Sequence, residues 1–239
     1  MIVDKTNRKG KIIVIEGLDG CGKTTQAKIL KTKLEEKGYN VKYVHFPKYE
    51  SLSSGPARMY LNGEIKDNAE EINAYMASSF YMVDREITYL KELKEFLEES
   101  ENNILLCDRY ISSNIILQAP KIVDEKAREE FIKWCYETEV NNFELPLEDI
   151  CLILTVHPRV SQKLLSKRYN NNEEKKDLHE SNISHLNHCY ETIYKSTIYC
   201  KDKLKLNWKI IDCSTLNNAD IRDIDSIAKS IWVEIENLI

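Results

Sequence analysis

No run of apolar residues in this 239-residue chain approaches the roughly 20 needed to cross a bilayer. The opening MIVDKTNRKGK lacks the apolar core of a secretion signal, so the expected location is the cytoplasm. No two of the seven cysteines (21, 107, 135, 151, 189, 200 and 213) stand as C-x-x-C, and their number is odd. That suits a reducing compartment and not a disulfide framework. Cys107, Cys151 and Cys213 sit in apolar runs, where cysteine behaves as a small hydrophobe. Positive charge is not in excess: 34 Lys and Arg face 39 Asp and Glu, for a net charge of −5. A general nucleic-acid surface would be basic, so none is expected, although a local positive pocket remains open. There is no internal repeat and no low-complexity tract; NNNEEKKD at 170–177 is the most loop-like stretch. With 42% hydrophobic residues the chain can bury one sizeable core.

Residues 11–28 read KIIVIEGLDGCGKTTQAK. Ile12–Ile15 is β-branched and apolar and predicts a buried strand. Residues 17–24, GLDGCGKT, fit G-x-x-x-x-G-K-[ST], the phosphate-binding loop. Thr25–Lys37 carries apolar residues among lysines and glutamates and predicts an amphipathic helix. Strand, loop and helix are the context this motif needs. Gly17, Gly20 and Gly22 allow a backbone that few residues adopt and let it approach a ligand closely. Successive N–H groups then form an anion nest, to which the helix N-terminus adds its dipole. Lys23 brings a full charge to the β- and γ-phosphates, and the Thr24 hydroxyl can reach Mg²⁺; Thr25 continues the site. A nucleoside triphosphate is the expected ligand.

Short apolar runs alternate with long amphipathic ones. The expected strands are 12–15, 41–46, 104–107, 150–155 and 209–212, and the expected helices are 24–37, 69–98, 124–140, 158–168, 178–203 and 220–236. This alternation predicts an α/β fold, a parallel sheet with helices on both faces. Ligands in such sheets bind beyond the carboxyl ends of the strands. The segments there are the phosphate loop, FPKYESLSSG, DRYISSN, VHPRV leading to the basic stretch 167–177, and CSTLNN.

In order along the chain, EGLDGCGKTT (16–25), FP (46–47), FYMVDR (80–85), DRYISSN (108–114) and KDLHE (176–180) resemble the thymidylate kinase family, over roughly residues 11–215. The resemblance implies a P-loop kinase fold with a five-stranded parallel sheet and a small lid at about 166–180. Residues 11–239 then form one domain, and residues 1–10 are an extension that need not be ordered. It also implies transfer of the γ-phosphoryl of ATP to dTMP with Mg²⁺, and a homodimer.

Carried over motif by motif, Asp19 lies near the transferred phosphate and the sugar hydroxyl. Asp108, ending a buried strand, organises Mg²⁺ together with Thr24. Arg109 offers a planar fork to the acceptor phosphate. Tyr81 and Arg85 are one helical turn apart and share a face; Tyr81 stacks on thymine, and Arg85 meets the base or its phosphate. Ser113, Asn114 and Gln118 serve thymine's polar edge, for which an amide both donates and accepts. Phe46 opens the acceptor segment.

Two departures stand out. Where many members place an arginine soon after FP, this chain has Tyr49, leaving Lys48 as the nearest cation without bidentate geometry. Where some members carry an arginine inside the phosphate loop, this chain has Gly20, so a lid cation is expected: Arg168 first, then Lys175 and Lys176. Glu180 matches a family position with no derivable role. His179, His185 and His188 suggest a metal cluster, but nothing completes a zinc spacing, and a surface helix is the simpler reading. A nucleotide-dependent switch or hydrolase stays open, although the guanine-reading N-K-x-D segment is missing. A related kinase for another deoxynucleoside monophosphate or a nucleoside also stays open.

Overall fold

The structure is a computed structural model that describes residues 1–66, 68, 71–168 and 183–239, with the backbone alone at 165–168 and 183. Five strands, β1 (Lys11–Gly17), β2 (Asn40–His45), β3 (Asn103–Asp108), β4 (Ile150–Thr155) and β5 (Trp208–Asp212), form one sheet in the order β2-β3-β1-β4-β5. Every pairing is parallel. Buried parallel strands need apolar side chains on both faces, and β1 supplies them. Ile12 and Val14 enter one core and Ile13 and Ile15 the other.

The helices are α1 (Lys23–Glu36), α2 (Gly55–Leu61), α3 (Ala74–Thr88), α4 (Lys94–Glu99), α5 (Ser112–Leu117), α6 (Glu125–Tyr136), α7 (Pro158–Arg168), α8 (Ile183–Asp202) and α9 (Ile224–Ile235). Ala27, Leu30 and Leu34 of α1 and Ile227, Ile231 and Ile235 of α9 cover one face of the sheet. Residues of α3 to α6 and α8 cover the other. Side chains of Asn73, Asp124 and Asp223 accept from the N–H groups of Met76, Ala127 and Ser226, which starts α3, α6 and α9. All seven cysteines are buried, and none forms a disulfide among the described residues.

The expected strands are all present. The expected helix 69–98 is broken instead: α3 starts at its Asn73 cap, and π-helical turns at Tyr89–Leu93 separate it from α4. Helices α2 and α5, at seven and six residues, are too short to show a helical period in the sequence. Residues 1–10 carry no helix or strand, yet they are fastened to the domain. Arg8 pairs with Asp4 at 2.8 Å and Asp149 at 2.7 Å, and the N–H groups of Lys9 and Gly10 reach the Leu97 carbonyl. The expected lid falls largely on 169–182, outside the described residues.

After β1 the chain passes into α1 on one face, and after neighbouring β3 it passes into α5 on the opposite face. Where following helices diverge in this way, a crevice opens at the carboxyl ends of the two strands. The phosphate loop and DRYISSN meet there.

Candidate active site

The crevice is a cavity of about 680 Å³. The phosphate loop lines its middle. Residues following β4 and β5 (Leu164, Ile221, Arg222, Ile224, Ile227) line it on one side, and residues following β2 and β3, together with α3, line it on the other.

The loop has the backbone its glycines allow. Gly20 and Gly22 have φ of 80° and 92°, and Gly22 caps α1 in the left-handed region. Gly17 has φ 145°, and a Cβ there would stand 2.3 Å from the Leu154 carbonyl oxygen. Lys23, the first residue of α1, rests its ammonium on the Leu18 carbonyl at 3.1 Å and near Asp19 at 3.5 Å. Thr25 also lines the cavity.

Asp108 closes β3 and is wholly buried. Its Oδ2 accepts from the Thr24 hydroxyl at 2.8 Å and the Tyr43 hydroxyl at 3.1 Å, and its Oδ1 has no hydrogen-bond partner. Burial, then the Asp108 carboxylate, pushes the Tyr43 phenol pKa up, so that group stays a donor. A buried carboxylate with an unused oxygen next to a threonine hydroxyl suits a hard divalent cation, which takes oxygen ligands. Thr24 and Asp108 are the residues that would hold Mg²⁺.

Arg109 has φ 74°, a strained value for a residue with a side chain. Its backbone N–H donates to Ile15 at 3.0 Å, and its guanidinium donates to Glu16 Oε1 at 3.1 Å, the Gly17 carbonyl at 3.3 Å and Asp19 Oδ1 at 2.5 Å. Burial alone would lower its pKa; Asp19, then Glu16 and Asp108, outweigh burial and raise it. Glu16 organises this corner. Fully buried at the end of β1, it also accepts from the Gly17 N–H at 2.9 Å and from the hydroxyls of Ser112 at 3.1 Å and Ser113 at 2.6 Å. The Ser113 hydroxyl is therefore turned to Glu16, although the residue lines the cavity.

Across the cavity, Tyr81, Arg85, Asn114 and Gln118 come together with Phe46 and Tyr49. Arg85, 1% exposed, makes two bonds to buried Glu139, from Nε at 2.6 Å and Nη2 at 2.8 Å. Glu139 outweighs the burial that would otherwise lower the Arg85 pKa, and holds that guanidinium charged.

The structure does not bring Lys48 into this set. Its ammonium pairs with Glu92 and the residue does not line the cavity. Tyr49 lines the cavity in its stead. Arg168 ends α7, and its side chain lies outside the described atoms, as do Lys175, Lys176, His179 and Glu180 altogether.

Sequence reasoning missed Glu16, Tyr43, His45 and Glu139. Glu16 left a trace, as a carboxylate ending an apolar strand. His45 lines the cavity at the end of β2, and burial lowers its pKa. Tyr43 and Glu139 gave no local sign, because their partners lie 65 and 54 residues away.

A family model described as thymidylate kinase matches residues 15–212. The chain belongs to the thymidylate kinase family. A probable thymidylate kinase of Pyrococcus horikoshii is 30% identical over 160 residues, 67% of this chain and 72% of its own length. A thymidylate kinase of Danio rerio is 25% identical over 227 residues, 94% of this chain and 92% of its own. A solved thymidylate kinase from Candida albicans superposes with a TM-score of 0.62 at 21% identity, covering 97% of this chain and 92% of that one, a likeness of fold. The phosphate loop and Tyr81, Arg85 and Arg109 line the same cavity.

Proposed function

We propose that this chain is a kinase that transfers the γ-phosphoryl of ATP to dTMP, giving dTDP and ADP, in the synthesis of dTTP. One observation carries the reading. A single cavity joins the phosphate loop, with its Thr24–Asp108 pair, to a second set holding Arg109, Arg85, Tyr81 and Asn114. A hydrolase or switch has no need of the second set.

The geometry supports roles for Lys23, Thr24, Asp108, Arg109 and Asp19, and the family resemblance supplies those of Tyr81, Gln118 and Arg168. Lys23 exchanges its Leu18 carbonyl for phosphate oxygens, and loop residues 20–25, which line the same cavity, supply backbone N–H groups to them. Mg²⁺, held by Thr24 and Asp108, would offset charge on the β- and γ-phosphates when bound. Arg109, braced by Glu16 and Asp19, presents its fork to the acceptor phosphate and so aims an oxygen in line with the γ-phosphorus. Asp19 keeps Arg109 and Lys23 side by side where negative charge gathers. Tyr81 stacks on the base, Gln118 closes the pocket behind it, and Arg168 is the lid cation. Transfer of this kind is mostly positioning and charge stabilisation.

Cytoplasmic residence is supported by seven buried cysteines that form no disulfide among the described residues, and no described helix is long and apolar enough to cross a membrane. Self-association as a homodimer is supported by exposed Met76, Val83, Ile87 and Leu90, which form a stripe along α3 and the turns after it. Sedimentation of the full chain tests this.

The deciding assay is ADP formation from ATP and Mg²⁺, first without acceptor and then with dTMP, dUMP, dCMP, dGMP, AMP or thymidine. Strong turnover with dTMP and weak turnover with the others is the expected result. Acceptor-independent turnover overturns the kinase reading, and preference for another acceptor overturns the assignment of Tyr81, Asn114 and Gln118.

A further inference from the structure

Behind the acceptor side stands a carboxylate that does not touch the cavity. Glu139 lies in the π-helical turns Glu137–Asn142 that follow α6, and it is fully buried. Such turns inside helices often mark functional positions, because they re-aim a side chain. Glu139 takes Arg85 Nε and Nη2 on its two oxygens, and it also accepts from Asn114 Nδ2 at 3.4 Å.

These bonds fix what the two cavity residues have left to offer. Arg85 keeps one nitrogen, Nη1, that donates to no protein acceptor among the described residues. A carboxylate can only accept, so the Asn114 amide must turn its NH₂ to Glu139, and its carbonyl oxygen is left as the group for a ligand. The pair offers one donor and one acceptor.

We propose that Glu139 is a positioning residue that sets the base preference of the acceptor site, by fixing Arg85 as donor and Asn114 as acceptor. The matching ligand edge is a ring carbonyl next to a ring N–H, as thymine and uracil carry. Cytosine presents an amino group next to a bare ring nitrogen, so it would meet donor with donor and acceptor with acceptor. A site built on hydrogen bonds rejects such an analogue strongly, because its own buried polar groups are left unpaired. This inference rests on the nucleoside monophosphate kinase reading and deepens it.

The test measures kcat and KM for dTMP, dUMP and dCMP with saturating ATP and Mg²⁺, in the full chain and in Glu139→Gln and Glu139→Asp, with thermal denaturation as a fold check. The unaltered chain should favour dTMP and dUMP over dCMP. Glutamine can face Asn114 with either end, so the amide is free to turn. In Glu139→Gln the dTMP-to-dCMP ratio of kcat/KM should fall about tenfold or more, through KM for dTMP, with kcat little changed. Glu139→Asp keeps the charge on a shorter stem and should lower the ratio by less; this variant decides the matter if the glutamine variant does not fold. A ratio unchanged within about twofold in the folded variants, or a parallel loss for both acceptors, overturns the role of Glu139 alone. A chain that turns over no dTMP even without substitution overturns the kinase reading and this inference together.

Discussion

The buried carboxyl of Glu148 should make the stability of this protein fall as pH rises from about 4.5 to about 7, and replacing it by glutamine should abolish that fall. Glu148 is buried just before β4, at the amino end of that strand, and does not line the cavity. The Tyr136 hydroxyl and the Trp208 indole N–H, the latter at 3.1 Å, both donate to its Oε1, and Oε2 has no partner. Burial pushes its pKa up from 4.5 to about 7, against the lowering effect of those donors. The sign follows from the raised value. Between pH 4.5 and 7 the native state holds a proton that the unfolded chain has lost, so stability is fully present below pH 4.5, drops across that interval and is level above it. At about 1.4 kcal/mol per pH unit, the loss comes to about 3 kcal/mol. For a chain of this size that is about 6–12 °C in melting temperature. Glutamine has the shape of the protonated acid and keeps the acceptor for both donors. The assay is thermal or urea denaturation of both chains from pH 4 to 8. The difference between variant and unaltered chain should be near zero at pH 4 and grow to about 3 kcal/mol in favour of Glu148→Gln at pH 7.5. A difference that stays flat with pH, or a variant less stable at pH 7.5, would refute the reasoning.

Three further outcomes follow from the site. Gly17→Ala forces a Cβ to 2.3 Å from the Leu154 carbonyl oxygen at φ 145°; it should destabilise the chain by roughly 2–4 kcal/mol in urea denaturation and weaken ATP binding, and a neutral effect would show that the β1–β4 contact yields. Asp108→Asn removes the charge facing the Thr24 hydroxyl; turnover should need far more Mg²⁺, with kcat down about 10²-fold or more, whereas an unshifted Mg²⁺ titration would dissociate Asp108 from the metal. Lys48→Ala should change KM for dTMP less than threefold or so, since its ammonium sits on Glu92, an exposed-side pair of small worth; a tenfold rise would mean that Lys48 swings into the site on binding.

The sequence by itself determined what is local. The spacing of Gly17, Gly20, Gly22, Lys23 and Thr24 specifies the phosphate loop, because a nest of N–H groups depends on successive backbone angles. The five apolar runs specify five strands, because a strand buried on both faces has few alternatives to Ile, Val and Leu. The order of strands and helices makes the sheet parallel, and strand ends mark where Asp108 and Arg109 stand. Short α2 and α5 escaped, since six or seven residues do not complete enough turns to display a period. The break inside 69–98 escaped because both of its parts are helical and amphipathic, and a π turn leaves the pattern nearly intact.

What only the tertiary structure decided is pairing across distance. Lys48 is the nearest cation to the place of a family arginine, yet its ammonium pairs with Glu92 and the residue does not line the cavity. The helical turn puts Arg85 on one face with Tyr81, but the buried Glu139 that holds it comes from a different element. Glu16 gathers Arg109, Ser112 and Ser113 because β1 and β3 lie side by side in the sheet, a neighbourhood that no stretch of sequence records. A buried charge is tolerated only when its partner arrives, and which partner arrives depends on how the whole sheet is ordered.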